Sequence, residues 1–291
     1  MKKITAFLLA SAVAVMSLAG CTGSSTGNQM LDGPGMVNEN ADHDNDNTAA
    51  ELTDWEYIKN KGEFVVGITL YEPMNYYDEN GKLTGFDTEF AEAVAELTGV
   101  KVKFQEIEWD QKEMELKSKK IDAIWNGLTV TEERKENMAF STSYVVNQQV
   151  VVIKKSNADK YKSLADLKGA TICAESGSAG ESAIEADANL SEASYVASSA
   201  QKDALLEVKA GTCDAAVLDL TLAQAVINDD TDYSDLMIME GTNLQSEEYA
   251  IGMRLEDVET VKVINEAIAK LLADGTLAKL GEKYGIDVIT E

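Results

Sequence analysis

One short pattern occurs twice in this 291-residue chain, and it limits the available folds more than any other feature. "LKSKKIDAIWNG" from Leu116 and "VKAGTCDAAVLD" from Val208 each read as a helix end, a polar turn, then an Asp-Ala pair opening an apolar strand, at Asp122 and Asp214. Each is preceded by its own strand and helix. In the first half "EFVVGIT" reads as a strand, and Asp87 is predicted to cap a helix, "TEFAEAVAELTG", whose Phe90, Val94 and Leu97 share a face and which stops at Gly99. In the second half "GATICAES" reads as a strand, and Gly177-Ser178 opens a helix. Strands alternating with helices imply an α/β protein with mainly parallel sheets flanked by helices. Two such units imply two lobes and a cleft between them.

In sheets of this type ligands sit at the carboxyl ends of the strands, against loops and helix N-termini. That rule selects the loop after "VVGIT", the loop after "IDAIW", the loop after "TICAE", and Asp219 at the end of "DAAVL". The second of these is the most specific. A buried-looking strand, Ile121 to Trp125, runs straight into Asn126, Gly127, Thr129, Thr131 and Arg134. A loop that gathers hydroxyls, backbone amides and a single guanidinium is the usual way to fix a small carboxylate.

The amino terminus gives an address. "MKKITAFLLASAVAVMSLAGC" has the charged start, short apolar run and small residues of a secretion signal, predicted over residues 1–20. Leu18-Ala19-Gly20-Cys21 resembles the bacterial lipobox, in which cleavage leaves a lipidated cysteine that tethers the protein to a membrane face. Residues 21–53 are rich in Gly, Ser, Asn and Asp and read as a flexible acidic linker. The only histidine, His43, lies there among Asp42, Asp44 and Asp46, a pattern read as solvated linker in preference to a metal site. A net charge of -26 argues against a nucleic-acid partner, since phosphate contacts need clustered Lys and Arg. Beyond the signal segment no apolar run is long enough to cross a bilayer.

Residues from about Gly62 to Tyr284 resemble the extracellular solute-binding proteins of polar amino acid ABC transporters, family 3. The stretches that carry the resemblance are "GKLTGFDTEFAEAVAELTG", "KKIDAIWNGLTVTEERKENMAFSTSY", "SLADLKGATICAESGS", "GTCDAAVLD" and "LLADGTLAKLGEKYG", in the family's order and spacing. The resemblance implies a two-lobed periplasmic-binding-protein fold with a two-strand hinge. Lobe 1 is expected to comprise 54–147 plus 250–291 and lobe 2 to comprise 148–249, with crossings near Gln148-Gln149 and Glu248-Tyr249. It further implies a monomer, lipid-anchored on the extracellular face, that captures a free amino acid and delivers it to permease subunits. No cofactor and no metal are implied.

Site roles follow from the same resemblance. Arg134, after Thr131, would take the ligand α-carboxylate as a bidentate pair, and Thr129 would add its hydroxyl and amide. Asn126 belongs to the same loop. The Gly127 carbonyl and the Asp219 carboxylate would receive the α-ammonium, while Ser178 and Ala179 at a helix N-terminus would offer backbone amides to the carboxylate. Tyr71 and Trp109 would close over the ligand's aliphatic stem. Met74 stands where the family carries an aromatic residue, and Trp125 reads equally as pocket wall or core. Ile68, Glu175 and Leu218 occupy places that face the ligand side chain in relatives. Glu175 alone among them is charged, which favours arginine, lysine or ornithine; if it faces water instead, the ligand is a neutral polar one such as glutamine or cystine.

Two other function classes fit the same scaffold: an extracellular dehydratase with Glu175 as general acid, and a sensory receptor subunit. The predicted body contains no histidine, and neither Cys173 nor Cys213 has an activating basic neighbour, so no nucleophile and base pair is legible. The two thiols lie on strands expected to be neighbours; buried thiols are the default reading and a disulfide the alternative.

Overall fold

The structure is a computed structural model that describes residues 52–242 and 244–290. The predicted signal segment, Cys21, His43 and nearly all of the acidic linker lie outside the described residues. The described chain runs through α1 (Asp54–Lys61), β1 (Glu63–Ile68), the hairpin β2 (Tyr76–Tyr77) and β3 (Leu83–Thr84), α2 (Phe86–Thr98), β4 (Lys101–Glu106), α3 (Lys112–Lys117), β5 (Ala123–Ile124), α4 (Glu132–Lys135) and β6 (Ala139–Phe140). It continues through β7 (Val145–Lys154), β8 (Thr171–Glu175), α5 (Ala179–Ala186), β9 (Ser194–Ser198), α6 (Gln201–Ala210), β10 (Ala215–Asp219), α7 (Leu220–Val226), β11 (Leu236–Ile238), β12 (Gln245–Tyr249), β13 (Gly252–Met253), α8 (Val258–Ala273) and α9 (Thr276–Tyr284).

These strands form two separate main sheets, ordered β4-β1-β5-β13-β6 and β11-β7-β10-β8-β9, with β12 also paired to β7. The parallel core expected from the alternating pattern is present in each, as β4/β1/β5 and as β10/β8/β9. Each sheet is nonetheless mixed and not mainly parallel. The reason is the connection between them: β7 enters the second sheet antiparallel to β10, β12 leaves it antiparallel to β7, and β13 rejoins the first sheet antiparallel to β5. The β7/β12 pair, running from Val145 opposite Tyr249 to Gln149 opposite Gln245, is therefore the link that carries the chain between sheets.

The repeated Asp-Ala pair makes the same clamp twice. Asp122 donates its backbone N–H to the Val65 carbonyl at 2.7 Å and accepts the Val65 N–H on Oδ2 at 2.8 Å. Asp214 does the same with Thr171, at 2.7 and 3.0 Å. A side-chain oxygen thus replaces a backbone carbonyl at the point where each central strand begins, which sets the register of β5 on β1 and of β10 on β8.

Helix α2 starts differently from the sequence expectation. Its cap is Gly85 and not Asp87, because a φ of 120° and a Cβ position only 2.3 Å from the Met74 carbonyl oxygen exclude any side chain there. Asp87 sits inside the first turn with its carboxylate turned inward. Phe90 and Val94 are buried on that helix, but Leu97 is exposed. Trp125 is core: its indole meets Phe90 edge-on at 4.8 Å, beside Tyr144 and Phe86. Ile68 and Leu218 are likewise fully packed, in the apolar core. Cys173 and Cys213 are both buried free thiols, and the Cys173 thiol donates to the Ala204 carbonyl at 3.3 Å.

Candidate ligand-binding site

The loops at the carboxyl ends of β1, β5, β8 and β10 meet around one small cavity. Its walls are Thr69, Tyr71, Trp109, Asn126, Gly127, Thr129, Arg134, Glu175, Ser178, Ala179, Gln201 and Asp219. The ten site residues singled out in the sequence are all among them, and Thr69 and Gln201 are additions. The cavity volume is about 10 Å³, room for roughly one water molecule, so the cleft is shut on its own side chains. Ile68 and Leu218 are absent from the walls; both point into the core.

Several walls hold the loops in place. Asn126 accepts from the Thr69 N–H at 3.0 Å and hydroxyl at 2.7 Å, and donates to the Thr69 carbonyl and to Asn75 Oδ1. Its amide is fully spent joining the ends of β1 and β5. Gly127 has a φ of 57°, and an added Cβ would lie 2.5 Å from the Tyr71 ring, so glycine alone lets that ring approach. The Gly127 N–H donates to Asp87 Oδ2 at 2.7 Å, which also accepts the Tyr144 hydroxyl at 3.0 Å. Burial pushes the Asp87 carboxyl up to about 7 in spite of those donors. The Tyr71 hydroxyl is hydrogen-bonded to the Tyr249 hydroxyl at 2.6 Å.

Arg134 is buried in the short helix α4, whose first turn is capped by the Thr131 hydroxyl accepting its N–H at 3.1 Å. Its guanidinium donates to the Thr129 carbonyl at 2.8 Å and, from the other side of the cleft, to the Gly177 carbonyl at 3.1 Å. That uses two of five N–H groups. Burial pulls its pKa below the ordinary value, opposed by the charges of Glu247 and Asp219.

On the second sheet, Ser178 caps α5 by accepting the Glu181 N–H at 3.1 Å. Its own N–H is given to the Glu175 carbonyl at 3.2 Å, so Ser178 offers no free amide; Ala179, first in the helix, lacks an intrahelical acceptor and does. Asp219 Oδ1 accepts Asn147 Nδ2 at 2.6 Å and Gln149 Nε2 at 2.5 Å, and Oδ2 accepts Gln201 Nε2. Glu175 is buried at the end of β8, and its Oε1 has no hydrogen-bond partner. Burial, then the Asp219 charge, raise its pKa to about 8, against the pull of Lys112 and Arg134.

Besides Thr69 and Gln201, Glu247, Asn147, Gln149 and Lys112 escape the sequence reading. Glu247 on β12 stands directly opposite Asn147 on β7, and its Oε1 accepts from Thr129 Oγ1, Asn147 Nδ2 and Gln149 Nε2 at 3.0, 2.6 and 2.8 Å. Asn147 and Gln149 therefore bridge two buried carboxylates, and burial together with the Asp219 charge raises the Glu247 pKa. The signal was present as a polar run, Asn147-Gln148-Gln149, breaking an otherwise largely apolar strand. Lys112 lies in "DQKEMELK" and looks like a surface helix lysine. It is buried, with its ammonium 4.8 Å from the Trp109 ring centroid and donating to the Trp109 carbonyl at 3.1 Å and the Gly177 carbonyl at 2.8 Å. Among the described residues, no group of three or more His, Cys, Asp or Glu is placed to hold a metal.

Arg134 from the first sheet side and Asp219 and Glu175 from the second line a closed cleft between two α/β lobes, with Lys112 packed on the Trp109 wall. The family model for bacterial extracellular solute-binding proteins, family 3, matches residues 64–287, and the chain belongs to that family. It is 30% identical over 233 residues to the L-cystine-binding protein TcyJ of Escherichia coli (strain K12), covering 79% of this chain and 86% of that one. A solved substrate-binding protein of an ABC uptake transporter from Streptococcus pneumoniae, with bound histidine, is 34% identical with a TM-score of 0.73, covering 82% of this chain and 98% of that one. Tv2483 bound to L-arginine is 26% identical with a TM-score of 0.76, covering 81% and 97%.

Proposed function

We propose that this chain is the substrate-binding component of an amino-acid ABC importer, which captures a free polar L-amino acid between two closing lobes and hands it to permease subunits. The observation that carries this reading is the placing of one buried guanidinium, Arg134, and one buried carboxylate, Asp219, on a single cavity from opposite sheets. A zwitterionic head group is the ligand that satisfies both at once. Its carboxylate takes the guanidinium N–H groups left over from the Thr129 and Gly177 carbonyls, with the Ala179 N–H adding from the helix start. Its ammonium goes to Asp219 and the Gly127 carbonyl.

Lobe 1, residues 54–147 with 250–291, and lobe 2, residues 148–249, then move as bodies about the β7/β12 pair. Ligand that touches both lobes favours the closed state by its differential affinity for it. Contacts that cross the cleft, Arg134 and Lys112 to the Gly177 carbonyl and Lys202 to Glu72 at 3.0 Å, are made in closure and must break to admit ligand. In this reading the protein is a monomeric binding protein and not an enzyme, exported by the 1–20 segment and anchored on the extracellular face of the cell membrane through lipidated Cys21. A thermal-shift screen against the twenty amino acids, ornithine and cystine tests it, since a ligand at a hundred times its Kd adds about 2.7 kcal/mol of stability. No shift with any amino acid would remove the proposal.

A further inference from the structure

Two cations from the first-sheet side of the cleft converge on one neutral oxygen. The Gly177 carbonyl, between β8 and α5, accepts Lys112 Nζ at 2.8 Å and Arg134 Nη2 at 3.1 Å, which brings the two charges side by side. Their other acceptors are also backbone carbonyls, that of Trp109 for Lys112 and that of Thr129 for Arg134. Among the described residues neither cation makes a salt bridge, although both are buried, at 4% and 7% exposure. Gly177 has a φ of 70°, and a Cβ there would stand 3.1 Å from the Asp110 backbone, so glycine is what lets this carbonyl come down on the opposite side. Lys112 is no wall of the cavity; it packs on the Trp109 wall, its ammonium 4.8 Å from the ring centroid. A carbonyl dipole solvates a cation but cancels none of its charge, so closing the empty cleft buries two like charges with no anion paired to either. Burial first, and the Arg134 charge second, pull the Lys112 pKa down to about 8, past the opposite pull of Glu113, Glu175 and Asp110.

We infer that Lys112 makes closure conditional on the ligand's α-carboxylate: it penalises closing over an empty cleft, or over a head group that carries no anion, and does so without touching the ligand. This rests on the amino-acid reading above. The carboxylate bound at Arg134 is the anion that the two cations lack, and with it in place their repulsion is offset. A cleft that closes only over an anion is seldom shut and empty. It also turns away amines and amides, which share the ammonium contact to Asp219 but bring no negative charge. Lys112 is a positioning residue in this account, acting through Arg134 and the Gly177 carbonyl, and its charge matters more than its hydrogen bond.

Small-angle scattering on the ligand-free full chain separates the charge from the hydrogen bond. Lys112→Gln keeps a donor for the Gly177 carbonyl and removes the charge, Lys112→Met removes both, and Lys112→Arg keeps both. The radius of gyration should fall below the parent's for Lys112→Gln and Lys112→Met and match it for Lys112→Arg. Calorimetry then compares L-glutamine with L-glutaminamide and L-arginine with L-argininamide. The parent should favour each amino acid over its amide, and Lys112→Gln should shrink that ratio by about tenfold. Ratios within one protein are read, so a loss of folded fraction cancels. A ligand-free Lys112→Gln chain no more compact than the parent, or an unchanged ratio, overturns the inference while leaving head-group binding intact; a more extended Lys112→Met chain does so too, and marks Lys112 as a clasp that favours closure. A parent that binds each amide as tightly as its amino acid overturns the head-group reading and this one with it. Where the parent binds neither amino acid, the ligand-free radii alone decide.

Discussion

Asp122 and Asp214 make one backbone clamp in two different settings. Asp122 is completely buried, and besides Val65 it meets the Lys61 ammonium and, at 3.4 Å, the guanidinium of Arg254. Arg254 follows β13 and also donates to the Ile121 carbonyl at 2.8 Å and pairs with Asp257. Asp214 is half-buried, with the Tyr161 hydroxyl at 2.6 Å and Lys160 at 3.4 Å. The difference follows from chain order. The first sheet is assembled from two segments far apart in sequence, and Asp122 is where the returning segment is fastened. The second sheet is built from one continuous segment and needs no such tie. A repeated motif therefore fixes strand register in both halves, while topology decides how much of the fold depends on it.

The largest effect should come from breaking the buried setting. Asp122→Ala removes the carboxylate partner of Lys61 and one of the two paired with the buried Arg254, and leaves the Val65 N–H unmet, a loss of about 3 kcal/mol of unfolding free energy by urea titration. A loss under about 1 kcal/mol would show that the returning segment is held by packing alone.

The strand ends beyond the two clamps differ in the same way, one feeding the loop of Arg134 and the other ending in Asp219. Arg134→Ala should weaken every amino-acid ligand by about 3 kcal/mol or more without changing their order, because the contact is to a group all of them share. Calorimetry that finds near-parental affinity would take Arg134 out of the site.

Acid groups raised by burial cluster where the two halves meet. Asp87, Glu175 and Glu247 hold protons more tightly in the closed fold than in the unfolded chain, so stability falls as pH rises from about 4, through about 7 for Asp87 and about 8 for Glu175. Lys112 is the opposite case. Burial lowers it to about 8, so its penalty is full below that value and is relieved as pH climbs towards its unfolded value. The two together place a stability minimum near pH 8. Melting curves across pH 5–10 measure it, and Glu175→Gln should make the acid limb shallower. A flat profile would mean the cleft is open and wet in solution.

Much of this was legible in the chain. The Asp-Ala pairs, the strands they open and the loops at the strand ends follow from local patterns of strand, turn and helix start; the clamp each Asp makes with the neighbouring strand does not. Legibility ended where a side chain's partner lies on a distant strand. Glu247 and Asn147 are neighbours only because β7 and β12 pair, and Lys112 is buried only because Gly177 of the opposite half comes down on it. Asp87 reads as a helix cap in the sequence and is not one for the same reason, since its carboxylate accepts from Gly127, forty residues away. Asn126 and Ser178 sit where expected, yet their hydrogen bonds are spent on neighbouring loops, which no spacing rule reports.

The smallest effect is expected at the second clamp. Asp214 is partly exposed and carries no buried ion pair; what it holds is the Thr171 N–H and the Tyr161 hydroxyl, so Asp214→Ala should cost about 1 kcal/mol, well under the Asp122 value. Its pH dependence separates the clamp from mere packing. Burial alone would raise the carboxyl, but the Tyr161 hydroxyl, the Thr171 N–H and Lys160 outweigh it and hold the pKa below its ordinary value. A lowered carboxyl contributes stability that is fully present above the unfolded pKa near 3.8 and is lost as pH falls through the folded one. The gap between parent and variant should thus stay constant from pH 7 to pH 5 and narrow below about 4. If instead the gap persists unchanged into acid, the carboxylate is not what the second sheet uses, and the likeness between the two repeats ends at their sequence.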